Sequence, residues 1–200
     1  MITITIGKCQ VQVYFSCFAL LAFCCIFNGM GGGAACFLAV ILHECAHLAA
    51  MWVFGVYASQ VTLTALGCRV VPSKGKNLPD CRQAVVSLAG PGVNLLCFLL
   101  ALALGAAQST FAGASLALGI AHSLPIEPLD GGLALRYLLR ARLGGPRAEK
   151  LSRMLSALFL FPLAVLGFLV LLHTRYNYSL LALSVYLMLY LVLGRDYAQP

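Results

Sequence analysis

Long apolar segments fill most of this sequence of 200 residues, and they restrict the folds that it can adopt. About 20 consecutive apolar residues form a helix that crosses roughly 30 Å of hydrocarbon. Segments of this kind, the last of them shorter, are found at residues 11–28, 34–54, 84–106, 155–173, 178–194 and 111–123. Hydrophobic residues make up 62% of the chain and charged residues 10%, against about 45–50% and about 25% in soluble domains. The sequence therefore predicts an all-α polytopic membrane protein with about six transmembrane helices.

Positive charge is distributed unequally among the predicted loops. If the N-terminus is cytoplasmic and six helices alternate in direction, twelve of the thirteen Lys and Arg residues face the cytoplasm, and only Arg175 faces outward. This asymmetry follows the positive-inside rule and predicts that both termini are cytoplasmic. The net charge of +7 then reflects topology and contact with anionic lipid, because no basic and aromatic motif indicates nucleic-acid binding. The first apolar segment is interpreted as a retained helix, with a cleaved signal peptide as the alternative.

Two segments alternate between apolar and polar residues, which is typical of β-strands. Residues 2–14 alternate around Gly7 and Lys8 as a hairpin would, and residues 58–72 alternate with Gly67 at a turn. We therefore predict a small β-sheet from residues 2–14 and 58–72 at the cytoplasmic face. Such a sheet either caps the helices or pairs an exposed edge with an extended substrate, and the two interpretations are compatible.

The segment His43-Glu44-Cys45-Ala46-His47 places ionisable side chains in the middle of an apolar run. Histidines four positions apart on an α-helix lie about 40° apart on one face. Both imidazoles can therefore bind one zinc ion, with Glu44 beside them as the general base for the attacking water. Cys45 lies about 200° around the helix from His43 and is interpreted as a packing residue.

Two further polar segments interrupt the apolar helices. A run of small residues that ends at Asn94 allows close approach between helices, and the amide of Asn94 needs a polar partner. Further along, Pro125 and Pro128 break the fourth helix at membrane depth, which is tolerated where the irregular backbone lines a cavity. Asp130 follows this break, and an ionised carboxylate there needs a charged partner or a metal ion. Glu127 is the alternative carboxylate, three residues earlier.

In their order along the chain, these three motifs resemble those of the site-2 protease family of intramembrane zinc metalloproteases. The resemblance covers most of residues 1–140, including the N-terminal strands and the loop after the histidine helix. The layout of six helices with the N-terminus inside is similar to that of the bacterial stage IV sporulation FB-type branch. Members of that branch commonly carry a cytosolic nucleotide-sensing domain, and none is expected here because the sequence ends at Pro200.

The resemblance implies a zinc site and a catalytic base. By this resemblance, one zinc ion per chain would be bound by His43, His47 and Asp130, and Glu44 would be the base. Three protein ligands with an open fourth position are what a catalytic zinc requires. Asp130 is preferred to Glu127 as the third ligand because it lies at the helix break and is followed by two small glycines. The candidate substrate-contacting residues are Asn94, Pro125 and Pro128.

One residue departs from the family pattern. Eight positions before the aspartate the family usually has Asn, as a contact for the substrate or the oxyanion, whereas this sequence has His122. His122 is therefore a candidate catalytic residue that donates a hydrogen bond to the substrate or the oxyanion. The alternatives are that His122 competes as a metal ligand or only packs in the core.

The predicted protein is a single intramembrane protease domain of residues 1–200, with a catalytic core at about 1–140 and two extra C-terminal helices at about 155–194. It is expected in a bacterial cell membrane, where it hydrolyses membrane proteins within or next to their transmembrane segments. Expected partners are such a substrate, the lipid bilayer and a membrane regulatory protein, without nucleic acid. The alternatives are a catalytically silent scaffold of the same fold and a zinc or proton transporter.

Overall fold

A computed structural model describes residues 2–6, 9–64, 67–72, 78–175 and 178–193. The chain forms two compact units, an N-terminal unit of Met1–Ile120 and a C-terminal unit of Ala121–Pro200. The organisation expected from the sequence, one domain with a catalytic core that ends near residue 140, stays a prediction.

The N-terminal unit contains a sheet of four strands: β1 (Ile2–Ile6), β2 (Cys9–Val13), β3 (Ala58–Thr64) and β4 (Gly67–Pro72). The strands lie in the order β1-β2-β3-β4. β1 pairs with β2 and β3 with β4 in antiparallel fashion, whereas β2 and β3 are parallel because a long helical crossover connects them. The small sheet predicted from residues 2–14 and 58–72 is thereby confirmed. The predicted turn at Gly7-Lys8 lies outside the described residues, whereas Gly67, predicted at a turn, is the first residue of β4.

The crossover helix α1 (Phe15–Val53) changes direction at Gly29. Gly29 has a φ of 71° and a ψ of 170°, a conformation that residues with a Cβ adopt only under strain. The helical segments before and after this break approach each other closely, because a Cβ on Gly33 would lie 2.8 Å from the Cα of Cys25. The run of glycines between the two segments therefore permits a tight reversal inside one apolar region.

Two more helices follow in the N-terminal unit, the second of which extends three residues beyond it. Helix α2 (Asp80–Ala103) begins after Pro79 with an acidic residue in its first turn, which suits the positive end of the helix dipole, and it packs on α1. Helix α3 (Thr110–Ser123) packs on α2 at Gly119, where an added Cβ would lie 2.8 Å from the side chain of Leu95. The segment that follows α3 is not helical, so the predicted break at Pro125 and Pro128 is confirmed.

The C-terminal unit consists of three helices: α4 (Asp130–Leu143), α5 (Gly145–Thr174) and α6 (Ser179–Leu193). Gly144, with a φ of 78°, makes the corner between α4 and α5. Helix α6 packs on α5, and a Cβ added to Gly167 of α5 would lie 2.8 Å from the backbone nitrogen of Leu181 in α6. The buried core of this unit is formed by Ile126, Leu160 and Leu187. Ile126 brings the non-helical segment into the core, which fixes the position where α4 begins.

Three helices in the described parts of the chain are long and apolar enough to cross a membrane: Gly29–Val53, Asp80–Ala103 and Gly145–Thr174. They suggest an integral membrane protein. The predicted count of six transmembrane helices is not confirmed. The segments predicted at 11–28, 111–123 and 178–194 form shorter helices, and a helix of this length falls short of the about 20 residues that a crossing needs.

Candidate metal centre

His43 and His47 lie on one face of α1, as their spacing predicts. Their ring centroids are 4.8 Å apart and the ring planes meet at 77°. The side chain of His43 is buried, whereas Cys45, on the opposite side of the helix, is exposed. Glu44 is half-buried and directly precedes this exposed position. The two imidazoles therefore lie beside each other where helix α2 packs on α1.

Helix α2 contacts both imidazoles through their Nδ1 atoms. The Nδ1 of His47 donates a hydrogen bond to the backbone oxygen of Val86 at 2.8 Å. A carbonyl oxygen only accepts, so this bond places the proton of a neutral His47 on Nδ1 and gives Nε2 the lone pair that a metal requires. The Nδ1 of His43 lies 3.2 Å from the amide nitrogen of Asn94. His47 thus presents Nε2 as its ligand atom, and Nδ1 of His43 faces the amide of Asn94.

Gly90 of α2 lies directly against these two Nε2 atoms. A Cβ added to Gly90 would lie 2.7 Å from the Nε2 of His43 and would be closer still to the Nε2 of His47. Any larger residue would therefore occupy the space beside both ligand atoms. The small residues before Asn94 suggested close helix packing from the sequence; the structure adds that one of them leaves room at the histidines.

Asp130 is placed by the tight turn that precedes α4. The turn allows no side chain at the next two positions, because a Cβ on Gly131 would meet the backbone oxygen of Leu124 at 2.6 Å and one on Gly132 would meet the backbone of the same turn. His122 contacts the aspartate directly: its Nδ1 lies 2.7 Å from Oδ2 of Asp130. The carboxylate therefore has a fixed neighbour and a fixed position at the start of the helix.

His43, His47 and Asp130 are a group of three residues that can hold one metal ion, each through one ligand atom. Two imidazoles and one carboxylate are donors that suit a catalytic zinc, and the space left by Gly90 fits an ion at Nε2.

Glu127, the alternative third ligand, has other partners. Its Oε1 accepts a hydrogen bond of 2.6 Å from the hydroxyl of Ser152, and its Oε2 lies 3.4 Å from Nη1 of Arg136. The backbone N–H of Glu127 donates to the hydroxyl of Ser156. These bonds attach the segment before α4 to helix α5, so the geometry favours Asp130 as the third ligand. Ser152 could not be identified from the sequence, because a serine in an apolar helix usually only packs.

The residues predicted to contact substrate lie in buried or half-buried parts of the structure. Asn94, expected to contact substrate, is fully buried against His43. Pro125 and Pro128 lie in the half-buried segment before α4, where the backbone oxygen of Pro125 accepts a hydrogen bond from Ser156. His122 is half-buried and bonded to Asp130, and no contact with a substrate is defined by the structure. The backbone oxygen of Val86 was not predictable, because a carbonyl carries no sequence signature.

The fold resembles that of a solved protein described as a site-2 protease from Methanocaldococcus jannaschii. The TM-score is 0.65 and the sequence identity 18%, with 100% of this chain and 97% of that chain covered. At this identity, the likeness establishes the fold. No protein-family model and no curated protein matches the sequence. The resemblance to site-2 proteases is therefore confirmed as structural similarity over the whole chain, and the sporulation branch is not shown.

Proposed function

We propose that this protein is a zinc-dependent intramembrane endopeptidase, which hydrolyses peptide bonds within or next to the transmembrane segments of other membrane proteins. The observation that carries the proposal is the group of His43, His47 and Asp130 in a chain with a site-2 protease fold. The two histidines belong to a helix that is long and apolar enough to cross a membrane. Ionisable residues in such a helix are costly and are typically retained for function.

The chemistry divides between the metal and this chain's own residues. Zinc, when bound, supplies Lewis acidity toward the scissile carbonyl and lowers the pKa of water. His43, His47 and Asp130 would hold it. Glu44 takes the proton of the attacking water on a carboxylate oxygen and then delivers that proton to the leaving amine. Because a helical backbone hides its own amides, the substrate segment must unwind before its carbonyl reaches this site.

The finer parts of the proposal rest on the sequence. The loop charges support cytoplasmic termini, and therefore cleavage in the cytoplasmic half of the substrate helix, while a bacterial cell membrane follows from the resemblance. Pro125 and Pro128 are proposed to border the substrate path, since irregular backbone at membrane depth lines a cavity. A membrane regulatory partner and a role in sporulation follow only from the resemblance to that branch of the family.

The test is a cleavage assay with purified protein in detergent micelles. The substrate is a single-span test protein whose transmembrane segment contains Gly and Pro, and the variants are Glu44→Gln and Cys45→Ala. Loss of a general base typically reduces the rate by about 10²–10⁴. We therefore expect Glu44→Gln to lose cleavage and keep its zinc, and Cys45→Ala, on the exposed side of the helix, to keep both.

The opposite results are equally informative. If the zinc-loaded parent cleaves no test protein, or if Glu44→Gln cleaves as fast as the parent, the protease proposal is wrong. Zinc binding without cleavage would favour the scaffold, and zinc-dependent uptake into vesicles would favour the transporter. Mass-spectrometric mapping of the product termini checks the depth: cuts in the outer half of the test helix would contradict the proposed topology.

A further inference from the structure

We infer that Asn94 is a positioning residue for the metal site, whose amide oxygen accepts the Nδ1 proton of His43 and so directs Nε2 to the ion. This inference rests on the proposed zinc site and deepens it. It also replaces the expectation from the sequence that Asn94 contacts substrate. Three observations carry it: the burial of the amide, the state of its oxygen and its place on α2.

The amide of Asn94 is sealed inside the protein. The residue has 0% of its surface exposed, and its Nδ2 lies 3.2 Å from Nδ1 of His43. Its Oδ1 is buried and has no hydrogen-bond partner among the residues that the structure describes. A buried amide oxygen without a partner costs about 1–3 kcal/mol, so a fully buried asparagine with this defect needs an explanation.

Metal binding provides that explanation. An imidazole that binds a metal through Nε2 carries its proton on Nδ1, and this proton needs an acceptor. An amide nitrogen cannot accept it, whereas an amide oxygen can. Rotation of the Asn94 amide by 180° exchanges the two atoms, and then Oδ1 faces Nδ1 of His43. The rotated amide places its oxygen as the acceptor of the Nδ1 proton, which fixes the tautomer of His43 that a metal at Nε2 requires, and its nitrogen takes the former place of the oxygen.

The arrangement of helix α2 supports this role. Val86, Gly90 and Asn94 are spaced four residues apart, so they lie along one face of α2 with about 6 Å between successive positions. Val86 contacts His47 through its backbone oxygen and Asn94 contacts His43 through its side-chain amide, while Gly90, which has no side chain, lies against both rings. One helix face therefore offers an acceptor to each histidine, a backbone carbonyl at one end and a side-chain amide at the other.

The experiment measures zinc affinity without substrate, by competition with a chromophoric chelator in detergent micelles. Asn94→Leu has a similar volume and no acceptor, Asn94→Asp keeps the acceptor, and Ser115→Ala is the control. Ser115 is equally buried and its hydroxyl lacks a partner among the described residues, so its replacement removes a buried polar group from a different helix, α3. Removing an outer partner of a ligand typically lowers metal affinity about 10–100-fold.

We expect Asn94→Leu to bind zinc about 10–100-fold more weakly, and Asn94→Asp and Ser115→Ala to stay within a few-fold of the parent. Nitrogen-15 NMR of the zinc-loaded parent should show His43 protonated at Nδ1. If Asn94→Leu does not fold, Asn94→Asp and the NMR spectrum decide. Unchanged affinity in Asn94→Leu, a tenfold loss in Asn94→Asp, or a proton on Nε2 of His43 would overturn the inference.

The outcome is separable from the outcome for the protease. If Asn94→Leu raises KM for the test protein and leaves zinc affinity unchanged, Asn94 contacts substrate and the inference is wrong while the protease proposal stands. If the parent binds zinc and cleaves nothing, the affinity series still decides the role of Asn94. If the parent binds no zinc, both the metal site and the role of Asn94 are overturned.

Discussion

Replacement of Gly90 by alanine tests the geometry of the metal centre with a single carbon atom. The added Cβ would lie 2.7 Å from Nε2 of His43 and closer still to Nε2 of His47, distances that Cβ atoms do not adopt. Without metal, the imidazoles can relieve this contact by turning away. With metal, both Nε2 atoms are tied to the ion, so the contact remains and opposes binding.

The size of the effect follows from the cost of overpacking. An extra methyl group in a packed interior costs typically about 1–3 kcal/mol. If the metal-free protein relaxes fully, this cost falls entirely on the bound state. Since about 1.4 kcal/mol corresponds to a tenfold change in affinity, Gly90→Ala should bind zinc about 5- to 150-fold more weakly than the parent.

The matched control is Gly92→Ala, two positions along the same helix, where an added Cβ would meet nothing within 4 Å. An exposed helix interior gains about 0.5–1 kcal/mol from this exchange, so Gly92→Ala should fold at least as well as the parent. Zinc affinities of both variants are measured by chelator competition, with thermal unfolding as a check of the fold. Equal zinc affinity in Gly90→Ala and Gly92→Ala would refute the assigned position of the ion.

Two further predictions concern the supports of the third ligand. Glu127→Gln exchanges the charged acceptor of Ser152 for a neutral one and should lower the free energy of unfolding by about 1–3 kcal/mol. The control Glu149→Gln removes a charge from an exposed ion pair and should change it by about 1 kcal/mol or less, and equal melting curves of the two variants would contradict this. His122→Ala should weaken zinc binding about 10–100-fold because it removes the partner of Asp130, with partial recovery in His122→Asn. Unchanged affinity with a 10²–10³ loss of rate would instead support His122 as the oxyanion donor.

Features encoded by neighbouring residues could be predicted from the sequence. The alternation in residues 2–14 and 58–72 indicates strands because side chains on a strand point to alternate faces. The four-residue spacing of His43 and His47 places them on one helix face for a similarly local reason. The break before Asp130 follows from two prolines that cannot continue a helix. In each case the physical cause lies within a few residues of its effect.

Features that depend on distant contacts could not be predicted in this way. The partners of the histidines are 39 and 51 residues away along the chain, so nothing near His47 indicates Val86 and nothing near His43 indicates Asn94. Hydropathy predicted six crossing helices, and three helices in the described residues are long and apolar enough to cross, because hydropathy measures apolar character and not where a helix begins or ends. In particular, the conformation of Gly29 divides one long apolar region into two helical segments.

The hydrogen-bond partners of the three ligands come from different elements, so their effects on zinc binding can be measured separately. The histidines take their partners from α2, one from the backbone and one from a side chain, so substitution can remove only the amide that serves His43. Asp130 takes its partner from His122, while the turn before it is attached to α5 through Glu127. A substitution in α5 should therefore change the stability of the protein and the position of the Asp130 carboxylate. A substitution at Asn94 should change the orientation of the His43 imidazole alone. Zinc affinity and thermal stability, measured together, distinguish these two effects. A variant that only disorients a ligand side chain binds zinc more weakly and melts at the same temperature as the parent.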